Sequence, residues 1–375
     1  MTINSYLHHL DAHRQSQCNR IHFNYASLDH LGNNENRELF TEVSGLRALL
    51  DDEVVPMQVR EYLPGDEQEV LALFAIVFGR QLDLKFWNWR MVENPFGSGI
   101  IRLMFDNGKL VGHYAVMPIR LWARGNTIKA ALSMTTMTHP EYTGRGVFKE
   151  LASEVYRCCE VEGIEVVFGF PNENSYYGFT HKLGWRGFGA VKGWVRQGGA
   201  QRPVQHEFEC REVSTCDEIG CDLWSKVRET DRIMVPRTAE YLNWRYFGKP
   251  GNEYTVFVYN DRKGSARGLI VLKAFEGEDS TTGHIVDIVA PHQPEIQRAL
   301  LAKAVDFFAE LGITNISCWI PSNSSIASQL QAAGYSEKEW QTFFGVKMLD
   351  DAYNEASFVS DPNSWWFTMG DSDVF

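Results

Sequence analysis

The stretch MTTMTHPEYTGRGVFKELASEVYR, residues 134–157, predicts a strand, a short loop and a helix in immediate succession. The strand runs into Pro140, the loop contains Gly144-Arg145-Gly146, and the helix follows at once. Glycines let backbone N–H groups approach an anion closely, and a helix N-terminus adds the positive end of its dipole. Arg145 adds positive charge at the rim. The loop therefore suits a pyrophosphate, although many helices without a ligand also begin after such a turn.

A second pattern indicates an internal repeat. FWNWRMVENPFG begins at Phe86, and its near-echo YLNWRYFGKPGN begins at Tyr241. Three landmarks follow each Asn-Trp-Arg in the same order: Pro140 and Pro291, then Pro171 and Pro321, then Gly184 and Gly334 with an aromatic residue after each glycine. The successive distances from Trp89 and Trp244 are 51 against 47, 31 against 30, and 13 in both. This register favours a duplicated fold over a chance recurrence.

Hydrophobic periodicity and turn residues predict the same order of elements in both copies. The first copy is predicted to contain strands at 57–62, 100–105, 111–122, 128–139, 164–170 and 188–195, with helices at 66–77, 82–92, 148–162 and 175–183. The second is predicted to contain strands at 208–213, 255–259, 267–275, 283–289 and 315–320, with helices at 216–227, 238–247, 293–311 and 324–333. The fold class is α/β (α+β), with two tandem domains that each have a mixed, mostly antiparallel sheet flanked by helices.

The domain boundaries follow from the repeat. We expect an N-terminal extension at 1–55, a first domain at 56–196, a linker at 197–205, a second domain at 206–350 and a C-terminal tail at 351–375. The tail sequence SWWFTMGDSDVF is too aromatic for a solvated segment, so we expect it to pack on the body. Asp371 and Asp373 could reach an acceptor, but solubilising charge is the interpretation we favour.

Composition limits the class of protein. A length of 375 residues suits two domains, and 44% hydrophobic with 22% charged residues is ordinary for a globular chain. The net charge of −12 argues against a nucleic-acid partner, because gripping a phosphate backbone requires a basic face. The start of the chain has no apolar core of signal-peptide length and no run reaches membrane-spanning length, so we expect a cytoplasmic protein without a membrane partner. Seven scattered cysteines without a CxxC pair favour free thiols and no metal.

The element order, the strand–Pro–loop–helix at 134–151 and the strand–Asn–helix ending in Lys-Leu-Gly-Trp at 166–185 resemble the GNAT superfamily of acyl-CoA-dependent N-acyltransferases. The resemblance implies acyl-CoA as co-substrate. Residues flanking the pantetheine and thioester would be Thr136, Met137 and Thr138, and those around the pyrophosphate would be Thr143, Gly144, Arg145, Gly146, Val147 and Phe148. The second copy has His292–Ile296, HQPEI, at the loop position, without glycine and with an acid, so one acyl-CoA site in the first copy is expected.

The sequence departs from the family pattern at several positions. Thr143 replaces the usual Arg or Gln that opens the loop, and Phe148 replaces the usual final small residue. The frequent tyrosine general acid falls on Thr180, and the strand before Pro140 lacks the glutamate that many members use as a base. The catalytic assignment therefore stays open.

Transfer requires an amine that loses a proton and a leaving thiolate that is protonated or stabilised. The predicted catalytic residues are Tyr177, as proton donor to the thiolate, Asn174, and Asp287 of the second copy, as a base or sugar-hydroxyl acceptor. Asn172 and Ser175 are predicted to help bind pantetheine. Each has a plainer alternative, since tyrosines at a helix start usually pack and Asp287 could be a satisfied turn-proximal carboxylate. The Asn-Trp-Arg helices are interpreted as structural rather than as a sugar platform.

Tandem chains of this kind look like sugar N-acyltransferases of surface-polysaccharide (O-antigen) synthesis. The resemblance implies transfer of an acetyl or 3-hydroxybutanoyl-type group to a dTDP-linked amino deoxysugar in a ternary complex, with a homodimer possible. The alternatives are an acyltransferase for another small amine or a peptide, an aminoacyl-tRNA-dependent transferase, and a non-catalytic CoA-binding protein. The acidic charge and the loop disfavour the tRNA-dependent class.

Overall fold

The strands of both copies form one continuous sheet. The computed structural model describes residues 57–198, 210–217, 219–251, 253–277, 281–349 and 355–375, and residues 57–375 form one compact unit. The strands are β1 (Gln58–Glu61), β2 (Ile100–Asp106), β3 (Lys109–Ala123), β4 (Asn126–Thr138), β5 (Val166–Gly169), β6 (Arg186–Arg196), β7 (Cys210–Val213), β8 (Thr255–Asn260), β9 (Ala266–Glu276), β10 (Thr281–Val289), β11 (Asn315–Cys318) and β12 (Ser336–Met348). Among these strands, β4–β5 and β10–β11 pair in parallel and the other pairs are antiparallel, which confirms the predicted mixed sheet.

The two copies exchange their last strands. The order across the sheet is β1-β2-β3-β4-β5-β12-β6-β11-β10-β9-β8-β7, which reads the same from either edge when each strand is matched with its counterpart. Strand β12 lies between β5 and β6, and β6 pairs with β11 of the second copy. The duplication is therefore visible as an approximate two-fold relationship whose axis passes between β6 and β12.

Helices cover both faces of the sheet. They are α1 (Glu67–Phe78), α2 (Leu84–Met91), α3 (Val147–Val161), α4 (Glu173–Tyr177), α5 (Gly220–Val227), α6 (Ala239–Leu242), α7 (Pro294–Glu310), α8 (Ser325–Ala332) and α9 (Ala356–Val359). On one face α3 packs on the first half, and α7 and α8 pack on the second, each over its own apolar cluster. On the other face α1, α2, α5, α6 and the tail share one cluster drawn from both halves.

Most predicted elements lie where the periodicity placed them, but several differ. Strand β12 was not predicted, because its first half, Ser336–Glu339, is charged and exposed and is paired only by the distant β6. The predicted helix at 175–183 is a short α4 followed by a π-helical turn, Gly178–Lys182, and the predicted helix at 238–247 likewise ends in a π-helical turn. The predicted helix at 216–227 begins only at Gly220. The extension at 1–55, the linker from 199 onward and the first two residues of the strand predicted at 208–213 lie outside the described residues.

The tail is an integral part of the core. Trp365 and Trp366 are buried, and the main chain of Ile233 bonds to both Ser364 and Trp366. Asp371 is 2% exposed and pairs with Arg237 over 2.7 Å. The expectation that Asp371 is a solubilising charge is therefore wrong, because its carboxylate is buried in an ion pair.

Candidate active site

In the described structure, several main-chain N–H groups of the loop before α3 have no hydrogen-bond acceptor. Gly144 and Gly146 have φ of +82° and +87°, and Gly146 caps α3 without a side-chain hydrogen bond. Within the described residues, five N–H groups at the loop and the first helical turn donate to no carbonyl, those of Gly144, Gly146, Val147, Phe148 and Lys149. A side chain at either glycine would meet no neighbour within 4 Å, so the space in front of the loop is open. Such an array at the positive end of a helix dipole is a ready anion site.

The surrounding side chains hold this loop in place. The Arg145 guanidinium lies 4.7 Å from the centre of the Tyr142 ring, and the Tyr142 hydroxyl donates to Asp106 Oδ2 over 2.6 Å. The Phe148 ring turns inward and packs edge-on against Phe179 at 5.2 Å. The bulky residue at the last loop position therefore fills the core, and its main-chain N–H stays available.

Next to the loop, β4 and β5 part. Their parallel pairing runs from Ala130 with Val166 to Leu132 with Phe168 and then ends, while β4 continues to Thr138 beside β3. From Ser133 to Thr138 β4 therefore has no strand on its β5 side. The predicted pantetheine residues Thr136, Met137 and Thr138 lie on this stretch. Met137 is 1% exposed and faces the core, so only its main chain is offered to the cleft.

The segment after β5 brings several predicted residues together. Asn172 caps α4, accepting from the N–H of Ser175 at 3.0 Å, and the Ser175 hydroxyl also bonds to Asn172. Asn174 is exposed, and Tyr177 is 60% exposed with its ring stacked on His181 at 4.3 Å. An ideal Cβ on Gly178 would lie 3.0 Å from Phe148, so the end of α4 lies against the start of α3.

The other tyrosine of this pair is structural. The Tyr176 hydroxyl accepts from the N–H of Gly189 over 3.0 Å, and its ring stacks on Phe343 at 4.4 Å. Thr180, at the family's tyrosine position, donates its hydroxyl to the Tyr176 carbonyl over 2.9 Å. Of the two adjacent tyrosines, Tyr176 is half-buried with its hydroxyl bonded, whereas Tyr177 is 60% exposed.

Asp287 lies elsewhere, in a buried network. Its carboxylate is 0% exposed, accepts from Arg237 Nε over 2.8 Å and from the Tyr246 hydroxyl over 2.6 Å. Thr368 and Asp371 of the tail belong to the same network: both accept from Arg237, and the Thr368 hydroxyl donates to Asp287. A carboxylate shared in this way has no access to an amine in the cleft between β4 and β5, so the geometry gives Asp287 a structural role. The structure does not bring it together with Asn174 and Tyr177.

The described part of the second half does not offer such an array of N–H groups at the corresponding helix. Helix α7 begins with Pro294 at its first turn, Glu295 follows, and the N–H groups of Ile296 and Gln297 both donate to the Gln293 carbonyl. A proline has no N–H to offer, and a first-turn carboxylate repels an anion. Within the described residues, no group of three or more His, Cys, Asp or Glu side chains is placed to hold a metal ion.

The Asn-Trp-Arg helices meet between the two halves. Trp89 and Trp244 stack on each other, and the two arginines that follow them reach the tail. Arg90 donates to the Asp373 carbonyl at 3.3 Å, and Arg245 donates to the carbonyls of Gly370 at 2.9 Å and Phe375 at 2.7 Å. The arginines therefore tie the repeat to the chain's last residues.

Sequence reasoning did not find His113 or the irregularity in β4 that it contacts. His113 is fully buried on β3, and its Nδ1 lies 2.7 Å from the Thr135 carbonyl oxygen. Thr135 is one of three non-glycine residues with positive φ in the described chain. A histidine within the apolar run of β3 resembles an ordinary core residue, and only the strand register reveals what it touches.

Comparison with known proteins agrees with this geometry. Residues 58–187 match the acetyltransferase (GNAT) domain family. A probable N-acyltransferase of unknown function from Enterococcus faecalis has the same fold, with a TM-score of 0.62 and 12% identity over 79% of this chain and 73% of that one. A GCN5-related N-acetyltransferase from Anabaena variabilis gives 0.59 and 13% identity over 78% and 73%. N-myristoyltransferase from Saccharomyces cerevisiae with bound myristoyl-CoA gives 0.52 and 10% identity over 79% and 84%.

No curated protein sequence matches the chain. The solved structures, at 10–13% identity, show the fold, and the family match supplies the chemistry. The chain is a CoA-dependent N-acyltransferase with acyl-CoA as co-substrate. No helix in the described part of the chain is long and apolar enough to cross a membrane.

Proposed function

We propose that the first half alone binds acyl-CoA and that the chain transfers the acyl group to the amine of a nucleotide-linked amino sugar. The observation that supports the site is the open array of five N–H groups at the start of α3, next to the point where β4 and β5 part. A pyrophosphate bridges such an array, and the dipole of α3 favours its charge. Arg145 adds a cation at the exposed rim.

The pantetheine arm would lie along β4. Its two amide groups can pair with the free edge between Ser133 and Thr138 as an added strand does. In this pose Thr136 and Thr138 flank the arm, and the thioester reaches the end of the cleft nearest Leu132. Asn172 and Ser175 already bond to each other, so they support the arm through the shape of α4 more than through new hydrogen bonds.

Tyr177 is the proposed proton donor to the leaving thiolate. Tyr177 is 60% exposed on α4, the helix that follows β5 beyond the point where β4 and β5 part, and this supports a role at the thioester end of the cleft. Asn174, exposed on the same helix, would orient the arm. The amine attacks the thioester carbon, the C–S bond breaks, and the thiolate takes the tyrosine proton, after which the phenolate regains a proton from water. The proton lost by the amine passes to water, which suffices when the amine's pKa is not far above 7.

The acceptor proposal rests on the resemblance to transferases that act on dTDP-linked amino deoxysugars. An amino sugar meets the chemical requirement, because its amine loses a proton more easily than a lysine side chain does. Acetyl and 3-hydroxybutanoyl groups are the proposed donors, and synthesis of a surface polysaccharide such as O-antigen is the proposed role.

The test is a panel assay. The protein is incubated with acetyl-, 3-hydroxybutanoyl- and longer acyl-CoAs against dTDP-amino sugars, peptides with free N-termini and polyamines, and thiol release is followed. We expect turnover with at least one amino sugar. Activity confined to a peptide or polyamine would overturn the acceptor, and an absence of CoA binding by calorimetry would overturn the site.

A further inference from the structure

Strand β4 carries a bulge in the open stretch of the cleft. His113 of β3 is opposite Met137 and Ala115 is opposite Met134, so one residue of β3 faces two residues of β4, Thr135 and Thr136. The extra residue shifts the alternation of side chains, and Met134 and Met137 both face the same core cluster. Thr135 takes a φ of +51°, which a threonine adopts only under constraint.

His113 supplies that constraint from the side opposite the cleft. Its ring is 0% exposed and packs against Trp87 with 5.5 Å between ring centres. A carbonyl oxygen can only accept, so His113 Nδ1 carries the hydrogen and donates it to Thr135 over 2.7 Å. The other ring nitrogen, Nε2, is buried and has no partner within the described residues. A buried histidine that leaves a polar atom unpaired needs a reason other than packing.

The second half provides an internal comparison. Strand β10 has a bulge at the equivalent place, since Ile285 and Asp287 pair with the adjacent residues Leu272 and Val271 and leave Val286 as the extra residue. Val286 and Thr135 both lie five residues before the proline that ends the strand. Val286 does not have a positive φ.

The residue that corresponds to His113 is different. Ile288 lies three residues before Pro291, as Met137 lies three before Pro140, and Ile288 pairs with Ile270. The half without an anion loop therefore has an isoleucine where the half with the loop has the histidine. The strained bulge and the histidine that donates to it are therefore found in the half that has the glycine loop and not in the other half, although both halves share the fold.

We propose that His113 is a positioning residue that holds the Thr135 bulge in the shape required by the thioester end of acyl-CoA, without touching the ligand. The proposal rests on the proposed acyl-CoA site in the first half. Thr135 and Thr136 lie on the unpaired edge of β4, three and four residues beyond Leu132, where the strands part, and a shift of their main chain would displace the reacting carbonyl. A displacement of this kind lowers the rate of transfer while the nucleotide end stays bound at the loop.

A matched pair of substitutions separates this role from packing. In His113→Asn the amide nitrogen is the same number of bonds from Cα as Nδ1, so the donor to Thr135 is retained. In His113→Gln the nitrogen is one bond farther, at the position of Nε2, and the donor is displaced. His113→Leu, which fills the volume without a donor, is the third variant. The control is His284→Leu, which removes a half-buried histidine in the other half, bonded through Nδ1 to Ser317 Oγ at 2.8 Å.

Two quantities are measured for each variant: the Kd of adenosine 3′,5′-bisphosphate, the nucleotide end of CoA, by calorimetry, and kcat for thiol release per binding site. We expect Gln and Leu at position 113 to lower kcat by about tenfold or more with an unchanged Kd, and Asn and the His284 control to stay within about threefold of wild type. Equal kcat values for His113→Asn, His113→Gln and wild type would overturn the positioning role. A lower total rate that is fully explained by a smaller fraction of folded protein would also overturn it. A wild-type chain that does not bind the bisphosphate would overturn the proposed function itself.

Discussion

Trp89 and Trp244 exchange hydrogen bonds: each indole N–H donates to the main-chain carbonyl of the other residue, over 3.0 and 3.2 Å, and the rings stack 4.7 Å apart. The pair joins the two Asn-Trp-Arg segments across the approximate two-fold axis. A double-mutant cycle with Trp89→Phe and Trp244→Phe removes each donor but keeps a ring. We expect a coupling of about 1 kcal/mol in the free energy of unfolding, measured by urea denaturation of both single variants and the double variant. Strictly additive losses would show that the two bonds act independently.

Gly146 is expected to be essential for acyl-CoA binding. In Gly146→Val the β-branched side chain at a φ of +87° forces the loop to change, so the Kd for CoA should rise by tenfold or more, roughly 1.4 kcal/mol or above. Gly125→Val is the control, because Gly125 has a φ of +85° and open space around it, but lies in the turn between β3 and β4. Both variants should lose similar stability, and only the first should lose CoA affinity. The counterpart change in the second half, Gln293→Val, should leave affinity unaltered.

Substitutions at the two adjacent tyrosines should distinguish a role in catalysis from a role in stability. Tyr177→Phe removes an exposed hydroxyl, so kcat for thiol release should fall about tenfold or more while the melting temperature stays constant. Tyr176→Phe removes the acceptor for the Gly189 N–H, so stability should fall by about 1 kcal/mol. The reverse pattern, with activity lost only in Tyr176→Phe, would contradict Tyr177 as the proton donor.

Arg237 should contribute to stability and not to CoA binding. Arg237→Met leaves the buried carboxylates of Asp287 and Asp371 without their partner, and we expect a loss of about 3–5 kcal/mol in the free energy of unfolding. Arg145→Met changes an exposed cation and should alter stability by less than about 0.5 kcal/mol while weakening CoA binding. Chemical denaturation and CoA titration of both variants check this contrast. An unchanged unfolding midpoint in Arg237→Met would contradict a structural role for Asp287.

Acid should destabilise the fold through His113. Burial lowers the pKa of His113 from 6.5 to about 4, so the unfolded chain binds a proton at a pH where the folded chain does not. The stability from this group is full above pH 6.5 and is lost as the pH falls toward 4, by up to about 3 kcal/mol. Urea unfolding at pH 7.5 and pH 4.5 should show a smaller acid loss in His113→Asn than in wild type. Parallel losses in the two proteins would contradict the assignment to His113.

The order of elements could be predicted because local signals mark it. Alternating apolar residues, the Pro140 and Pro291 stops and the glycine turns each act within a few residues of the element they define. The proposed phosphate loop could also be recognised locally, because its glycines and the helix that follows are contiguous in the chain. The exchange of β6 and β12 could not be predicted in this way, because nothing within β12 indicates that its partners in β6 lie 141 to 160 residues earlier in the chain.

The chemistry of individual side chains was harder to predict than the fold. Asp287 on a strand near the centre fitted a catalytic base, and only the fold shows that Arg237 and the tail bury it. Thr135 carries no sequence mark of a positive φ, since glycine or asparagine would be the usual residue there. Properties that depend on contacts between distant segments could therefore not be predicted from the sequence, whereas properties that depend on neighbours in the chain could.

The strand exchange also bears on how such a protein can evolve. Strand β5, which borders the proposed cleft, is completed on its other side by β12 from the second copy, while β6 of the first copy completes β11. A gene shortened to the first copy would encode β5 without its neighbour and β6 without either of its partners. If acyl-CoA binds only to the first half, as proposed, the second half needs no ligand of its own, yet its strands still complete β5 and β6. Exchange of the last strands would therefore retain the second half in the chain for its strands, whether or not it binds a ligand.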